Sequence, residues 1–118
     1  MKAGDVAETT RRYTAQDMAD FAALTGSALP DHVPEPLIAA LFSFLLGVRL
    51  PGAGTNYLKQ SLAFTGRAAI DTTLTARVEI TRVRPEKHLV DLRTTCHSAD
   101  GTLICEGRAL VLARDVTA

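Results

Sequence analysis

Two cysteines, no surplus of either charge and no long apolar run leave few options for this 118-residue chain. Cys96 and Cys105 are too few for a disulfide framework or a zinc site, and buried free thiols fit a reducing cytosol. Thirteen basic and thirteen acidic residues give a formal net charge of zero. That balance offers no general attraction to nucleic acid or to an anionic membrane, although a local basic cluster could hold a phosphorylated ligand. The longest apolar stretch, Leu37 to Leu46, is about half of the roughly 20 residues that span a bilayer, so it reads as a core helix. Met1-Lys2-Ala3-Gly4-Asp5 is polar with no apolar signal segment behind it, and a cytoplasmic location is expected. The length allows a single domain, residues 1–118, and a domain this small commonly completes its burial by dimerising.

What is present falls into two helices and a series of strands. After an extended lead-in over residues 5–13, Thr14 and Asp17 have capping-box spacing and predict a helix from Ala15. Met18, Phe21, Ala22 and Leu24 follow at helical spacing, and Gly26 can supply the left-handed residue that ends it. Pro30, Pro34 and Pro36 mark a loop over residues 27–36. From Pro36 to Leu46 the second helix is apolar all round, with the small residues Ala39, Ser43 and Gly47 in one stripe suited to close approach against a sheet. Leu37, Leu41, Phe42, Phe44 and Leu45 are then expected to fill the space around that stripe.

Beyond the Leu50-Pro51-Gly52-Ala53-Gly54 turn, four strands are predicted: Asn56 to Thr65, Thr72 to Arg84, His88 to His97 and Leu103 to Ala113. In the second of them Leu74, Ala76, Val78 and Ile80 alternate with polar residues, which buries one face. Asp100-Gly101 predicts a two-residue hairpin loop, with Ala99 opposite Thr102 and Cys96 opposite Cys105. An apolar helix needs cover on most sides, so the economical fold is α+β, an antiparallel sheet curled around Pro36 to Leu46.

Two segments carry a family resemblance. Arg12-Tyr13-Thr14-Ala15-Gln16-Asp17-Met18-Ala19-Asp20-Phe21 through Gly26 resembles the opening helix of the MaoC-like dehydratases, the hot-dog-fold family that includes (R)-specific enoyl-CoA hydratases. Leu45-Leu46-Gly47-Val48-Arg49-Leu50-Pro51-Gly52-Ala53-Gly54 through Phe64 resembles their central helix end and following strand. The resemblance implies a hot-dog fold and a homodimer joined edge to edge, with an acyl-thioester site at the subunit interface. It implies hydration of a trans-2-enoyl thioester, or dehydration of the (R)-3-hydroxyacyl thioester, in fatty-acid, polyhydroxyalkanoate or polyketide-type metabolism. The CoA or acyl-carrier phosphopantetheine would belong to the substrate; no metal or other cofactor is implied.

The family's catalytic pattern is Gly-Asp-x-Asn-Pro-x-His. Laid on Gly26-Ser27-Ala28-Leu29-Pro30-Asp31-His32, it keeps Gly26, Pro30 and His32 but puts Ser27 where the Asp belongs and Leu29 where the Asn belongs. The family's stretch between this His and the central helix, which ends in His-Gly, is reduced to Val33-Pro34-Glu35-Pro36. With the gap placed elsewhere, His32 aligns near the helix-start histidine instead. His32-Val33-Pro34 also resembles the His-x-Pro loop of the fatty-acid-synthesis dehydratases, whose helix glutamate finds no match at Ala39, Ala40 or Leu41.

The expected catalytic set is therefore His32 as proton carrier with Asp31 or Glu35 assisting, and the N–H groups of about Glu35 to Leu37 polarising the thioester. Ser27, Leu37, Ser43, Gly52, Gly54 and Tyr57 are the expected substrate contacts. Ser27 can hold a water but cannot deprotonate it at neutral pH. Gly52 and Gly54 precede a strand rather than opening a helix, which makes them turn residues and not a phosphate loop. Arg49, Lys59, Arg82 and Arg84 are candidates for CoA or carrier phosphates. Two other readings stay open: a hot-dog thioesterase or specialised biosynthetic lyase using Glu35 as base, and a non-catalytic protein that binds an acyl chain or a partner.

Overall fold

Thr14 and Asp17 cap each other as their spacing requires. The Thr14 hydroxyl accepts from Asp17 N–H at 3.2 Å and the Asp17 carboxylate accepts from Thr14 N–H at 2.8 Å. In the computed structural model, which describes residues 1–114, this starts helix α1 (Ala15–Thr25), and Gly26 closes it at φ 70°. The last four residues of the expected domain, 115–118, lie outside the described residues. Helix α2 runs Glu35–Phe44, one residue earlier than expected, because Pro36 at its second position has no N–H that a helix would need to satisfy. A π-helical turn, Leu45–Arg49, follows, with Leu50 N–H reaching back to Leu45 O at 2.8 Å.

Five strands form one antiparallel sheet: β1 (Val6–Arg12), β2 (Asn56–Phe64), β3 (Thr73–Arg84), β4 (Leu89–Ser98) and β5 (Leu103–Leu112). Their order across the sheet is β1-β3-β4-β5-β2, so the extended lead-in becomes an edge strand on β3 and β2 forms the other edge. The alternation read in β3 holds, with Leu74, Ala76, Val78 and Ile80 all buried. They meet Val90, Leu92, Ala109 and Val111 from β4 and β5, and Ile38, Leu41, Phe42, Leu45 and Leu46 from the helix, in one cluster. Full burial of an aliphatic or phenyl side chain of this kind is worth roughly 1.5–3 kcal/mol. At Gly107 a Cβ would lie 1.7 Å from the carbonyl oxygen of Ser61, so only glycine lets β2 fold this tightly over β5.

Three expectations need correction. The small stripe of α2 does not pack on its own sheet: Ser43 and Gly47 are exposed, and Phe44 is 42% exposed. Ile38, Leu41, Phe42 and Leu45 offer far more apolar area and take the buried side, which turns the small residues outward. The β4–β5 loop has three residues, because Ser98 N–H donates to Thr102 O at 2.9 Å and Gly101 turns at φ 87°. A bulge beside His97 restores the register, so Cys96 does fall opposite Cys105. His88 adopts φ 55° in the turn after β3, and β4 starts one residue later at Leu89.

Candidate active site

The loop between the helices is short, proline-rich and held by few bonds. Val33 is buried and its N–H donates to Ala68 O at 2.8 Å, which fixes the loop against the segment that leaves β2. On either side of Val33 the chain is free to present polar side chains. The Asp31 carboxylate oxygen lies 2.6 Å from His32 Nδ1. A carboxylate can only accept, so Nδ1 carries the proton and Nε2 is left to accept or deliver one. The hydrogen bond from His32, and then the coulombic pull of its ring when protonated, hold the Asp31 carboxyl below its ordinary value. A cavity of about 120 Å³ lies beside this pair, with His32, Glu35 and Arg67 on its walls and Ile38 and Phe64 among its apolar residues.

Of the expected catalytic residues, His32 and Glu35 share this cavity, and Asp31 joins through its bond to His32. The substrate candidates are dispersed. The Ser27 hydroxyl lies 2.8 Å from Thr25 Oγ1 and donates to the Ala28 carbonyl at 3.3 Å, within its own turn. Leu37 is half-buried; its carbonyl accepts from the Tyr13 hydroxyl at 2.7 Å and its N–H donates to Pro34 O at 3.1 Å. Ser43 and Tyr57 line a separate open cleft of about 620 Å³ between α2 and β2, together with Ala39, Ala40, Leu58 and Gln60. Gly52 is buried with its N–H on Leu46 O at 3.0 Å, and Gly54 is exposed; neither lines either space. Among the phosphate candidates, Arg84 is paired with Asp91 at 2.6 Å and Arg49 lies over the Phe44 ring, while Lys59 lines the cleft.

Two polar features escaped the sequence reading. Arg67 is the one permanently charged cation on the wall of the His32 cavity, and it forms no ion pair among the described residues. Its signal was a basic residue directly after a glycine turn, Phe64-Thr65-Gly66-Arg67. Gln60 Nε2 lies 2.8 Å from Ser61 O, 3.1 Å from the fully buried Thr94 hydroxyl and 3.1 Å from Arg108 O, its two hydrogens shared among the three, while its Oε1 accepts from the Tyr57 hydroxyl. A polar residue in step with Leu62 and Phe64, on the inward face of β2, was the sign of that network. No cluster of metal ligands exists among the described residues. Cys96 and Cys105 are fully buried, and burial raises their thiols to about 11 and about 12, which leaves them as packing groups.

A five-stranded antiparallel sheet curled over one apolar helix, with polar groups gathered where that helix begins, is a hot-dog protein. No protein-family model matches the sequence. The chain is 36% identical over 127 residues to an (R)-specific enoyl-CoA hydratase of Rhodospirillum rubrum, covering 95% of this chain and 88% of that one. It is 34% identical to the (R)-specific enoyl-CoA hydratase of Aeromonas caviae over 94% of both chains. The solved structure of the (R)-hydratase from A. caviae superposes with a TM-score of 0.90 over 96% of this chain and 97% of that one. A 3-hydroxybutyryl-CoA dehydratase of Methylorubrum extorquens is 30% identical over 86% of this chain and 73% of its own length. The chain belongs to the (R)-specific enoyl-CoA hydratase family. The first alignment runs to 127 positions against 118 residues here, so this chain carries gaps relative to that relative.

Proposed function

We propose that this protein is an acyl-thioester hydro-lyase, adding water to a trans-2-enoyl thioester and removing it from the (R)-3-hydroxyacyl thioester in reverse. The observation that carries this reading is the Asp31–His32 pair beside the cavity at the start of α2, in a chain whose relatives are named hydratases and a dehydratase. In hydration, His32 Nε2 takes a proton from water as the water oxygen bonds C3. The double-bond electrons move through C2 onto the thioester oxygen, and the imidazolium then delivers the proton to C2 as the carbonyl reforms. Asp31 steadies the imidazolium through Nδ1–H, taking over for the family carboxylate whose place Ser27 occupies. Glu35, on the same cavity, is available to hold the water. This chemistry asks for no metal or redox group, and CoA or carrier phosphopantetheine comes with the substrate. A cytoplasmic setting goes with it, as two free thiols fit reducing conditions.

The working form in this reading is a homodimer. Ala40, Ser43, Phe44 and Val48 leave one side of the helical segment uncovered, next to exposed Tyr57 and Leu58 on the edge strand β2. A second copy joined through β2 covers both and removes an open edge. Sedimentation of the wild type is expected to give a dimer and Ser43→Arg a monomer; a monomeric wild type would overturn this assembly. Asp31 favours a second reading by its exposure, 84% for the side chain, since a carboxylate screened by open water steadies an imidazolium only weakly. That reading is a hot-dog protein that binds an acyl thioester without converting it. Incubation with crotonyl-CoA separates the two: hydration that disappears in His32→Ala supports the lyase, whereas binding without turnover supports the second reading. Release of free CoA would point to a thioesterase instead.

A further inference from the structure

We infer that Arg67 is a catalytic residue, its guanidinium donating to the thioester oxygen where negative charge develops; this rests on the hydro-lyase reading above. The start of α2 cannot fill that role alone. Pro34 and Pro36 have no N–H to give, and Leu37 N–H is already spent on Pro34 O at 3.1 Å. Only Glu35 N–H remains of the donors that a helix start usually leaves unpaired. An enolate oxygen needs more than one well-placed donor to be strongly stabilised.

The electrostatics sharpen that need. Glu35 lines the cavity and the Asp31 carboxylate lies behind His32, so negative charge already borders the place where more would develop, which is disfavoured unless a cation is present. Arg67 is the one permanently charged cation on the cavity wall, where His32 becomes cationic only on taking the water proton, and it forms no ion pair among the described residues. The Val33 N–H to Ala68 O bond, 2.8 Å, anchors the adjacent residue to the catalytic loop, so the guanidinium is carried on backbone tied to His32. Its charge is also felt at Asp31, whose carboxyl it helps to lower. Five N–H donors in a planar fork suit it to hold an oxygen.

The test uses the whole protein with a chromophoric thioester, 4-dimethylaminocinnamoyl-CoA, whose absorption moves to longer wavelength when its carbonyl is polarised, alongside turnover of crotonyl-CoA. Arg67 is solvent-exposed, so Arg67→Met and Arg67→Lys are expected to melt with the wild type. Arg67→Met is expected to bind the chromophore without the shift and to lose about 10²–10³-fold in kcat, the usual effect of removing one oxyanion donor. Arg67→Lys is expected to recover part of both. If wild type and Arg67→Met give the same shift and the same kcat, the role assigned to Arg67 is overturned while the lyase stands. If the wild type shifts the chromophore without hydrating crotonyl-CoA and Arg67→Met abolishes the shift, Arg67 polarises the thioester and the lyase reading falls. A wild type that neither shifts the one nor hydrates the other overturns both.

Discussion

The sheet with its helix and the loop over residues 27–36 are built on opposite terms. Each scaffold side chain is held by many neighbours at once: Phe42, Leu45, Leu74, Val78 and Cys105 are all fully buried in one cluster. The loop rests on the Val33 anchor, the Asp31–His32 bond and a turn around Ser27. Burial distributes stability over many residues, while the chemistry proposed above would rest on two or three residues of the loop. Changes in the two regions should therefore separate, the first appearing in unfolding experiments and the second in rates.

The largest loss of stability is expected at Phe42, which is fully buried beneath the sheet. Phe42→Ala should destabilise the fold by about 3–5 kcal/mol in urea unfolding, and a loss under about 1 kcal/mol would mean that α2 is not the core element. Gly107→Ala comes next. Its Cβ would sit 1.7 Å from Ser61 O, so β2 must shift, at about 3 kcal/mol. Thr14→Ala removes one half of the capping box of α1 and is expected to lower stability by about 1 kcal/mol, read from the same unfolding curves.

The scaffold was legible in the sequence for the same reason that it is robust. Alternation in β3, the apolar run of α2 and the Thr14/Asp17 spacing each repeat one message over several residues, and five strands with two helices follow from them. Where competition between residues decided the outcome, the sequence was silent. The small stripe of Ala39, Ser43 and Gly47 lost the buried side of the helix to bulkier neighbours, which periodicity cannot rank in a segment apolar all round. The loop was legible only as a departure from a motif. The Asp31–His32 bond joins sequence neighbours, whereas the arrival of Arg67 at their cavity from beyond β2 depends on a chain reversal that no local spacing encodes.

The smallest effects on stability should come from the loop. Ser27→Ala removes a hydroxyl that bonds only within its own turn, so unfolding is expected to change by less than about 0.5 kcal/mol and hydration not at all. A collapse of activity in Ser27→Ala would place that hydroxyl on the substrate. Asp31→Asn sets the two regions against each other most sharply. The Asp31 carboxyl is held below its ordinary value of 3.8 by His32, so the stabilisation it gives is present above that pH and disappears as pH falls through the lowered value. Wild type and Asp31→Asn should therefore differ slightly in melting temperature at neutral pH and converge in acid below the ordinary carboxylate range. The rate should not follow the melting curve. An amide cannot stabilise the imidazolium as a carboxylate does, so kcat for crotonyl-CoA is expected to drop sharply at pH 7 in a protein that is still fully folded. Equal rates for wild type and Asp31→Asn would leave His32 working without a partner, and the loop with a simpler mechanism than the pair implies.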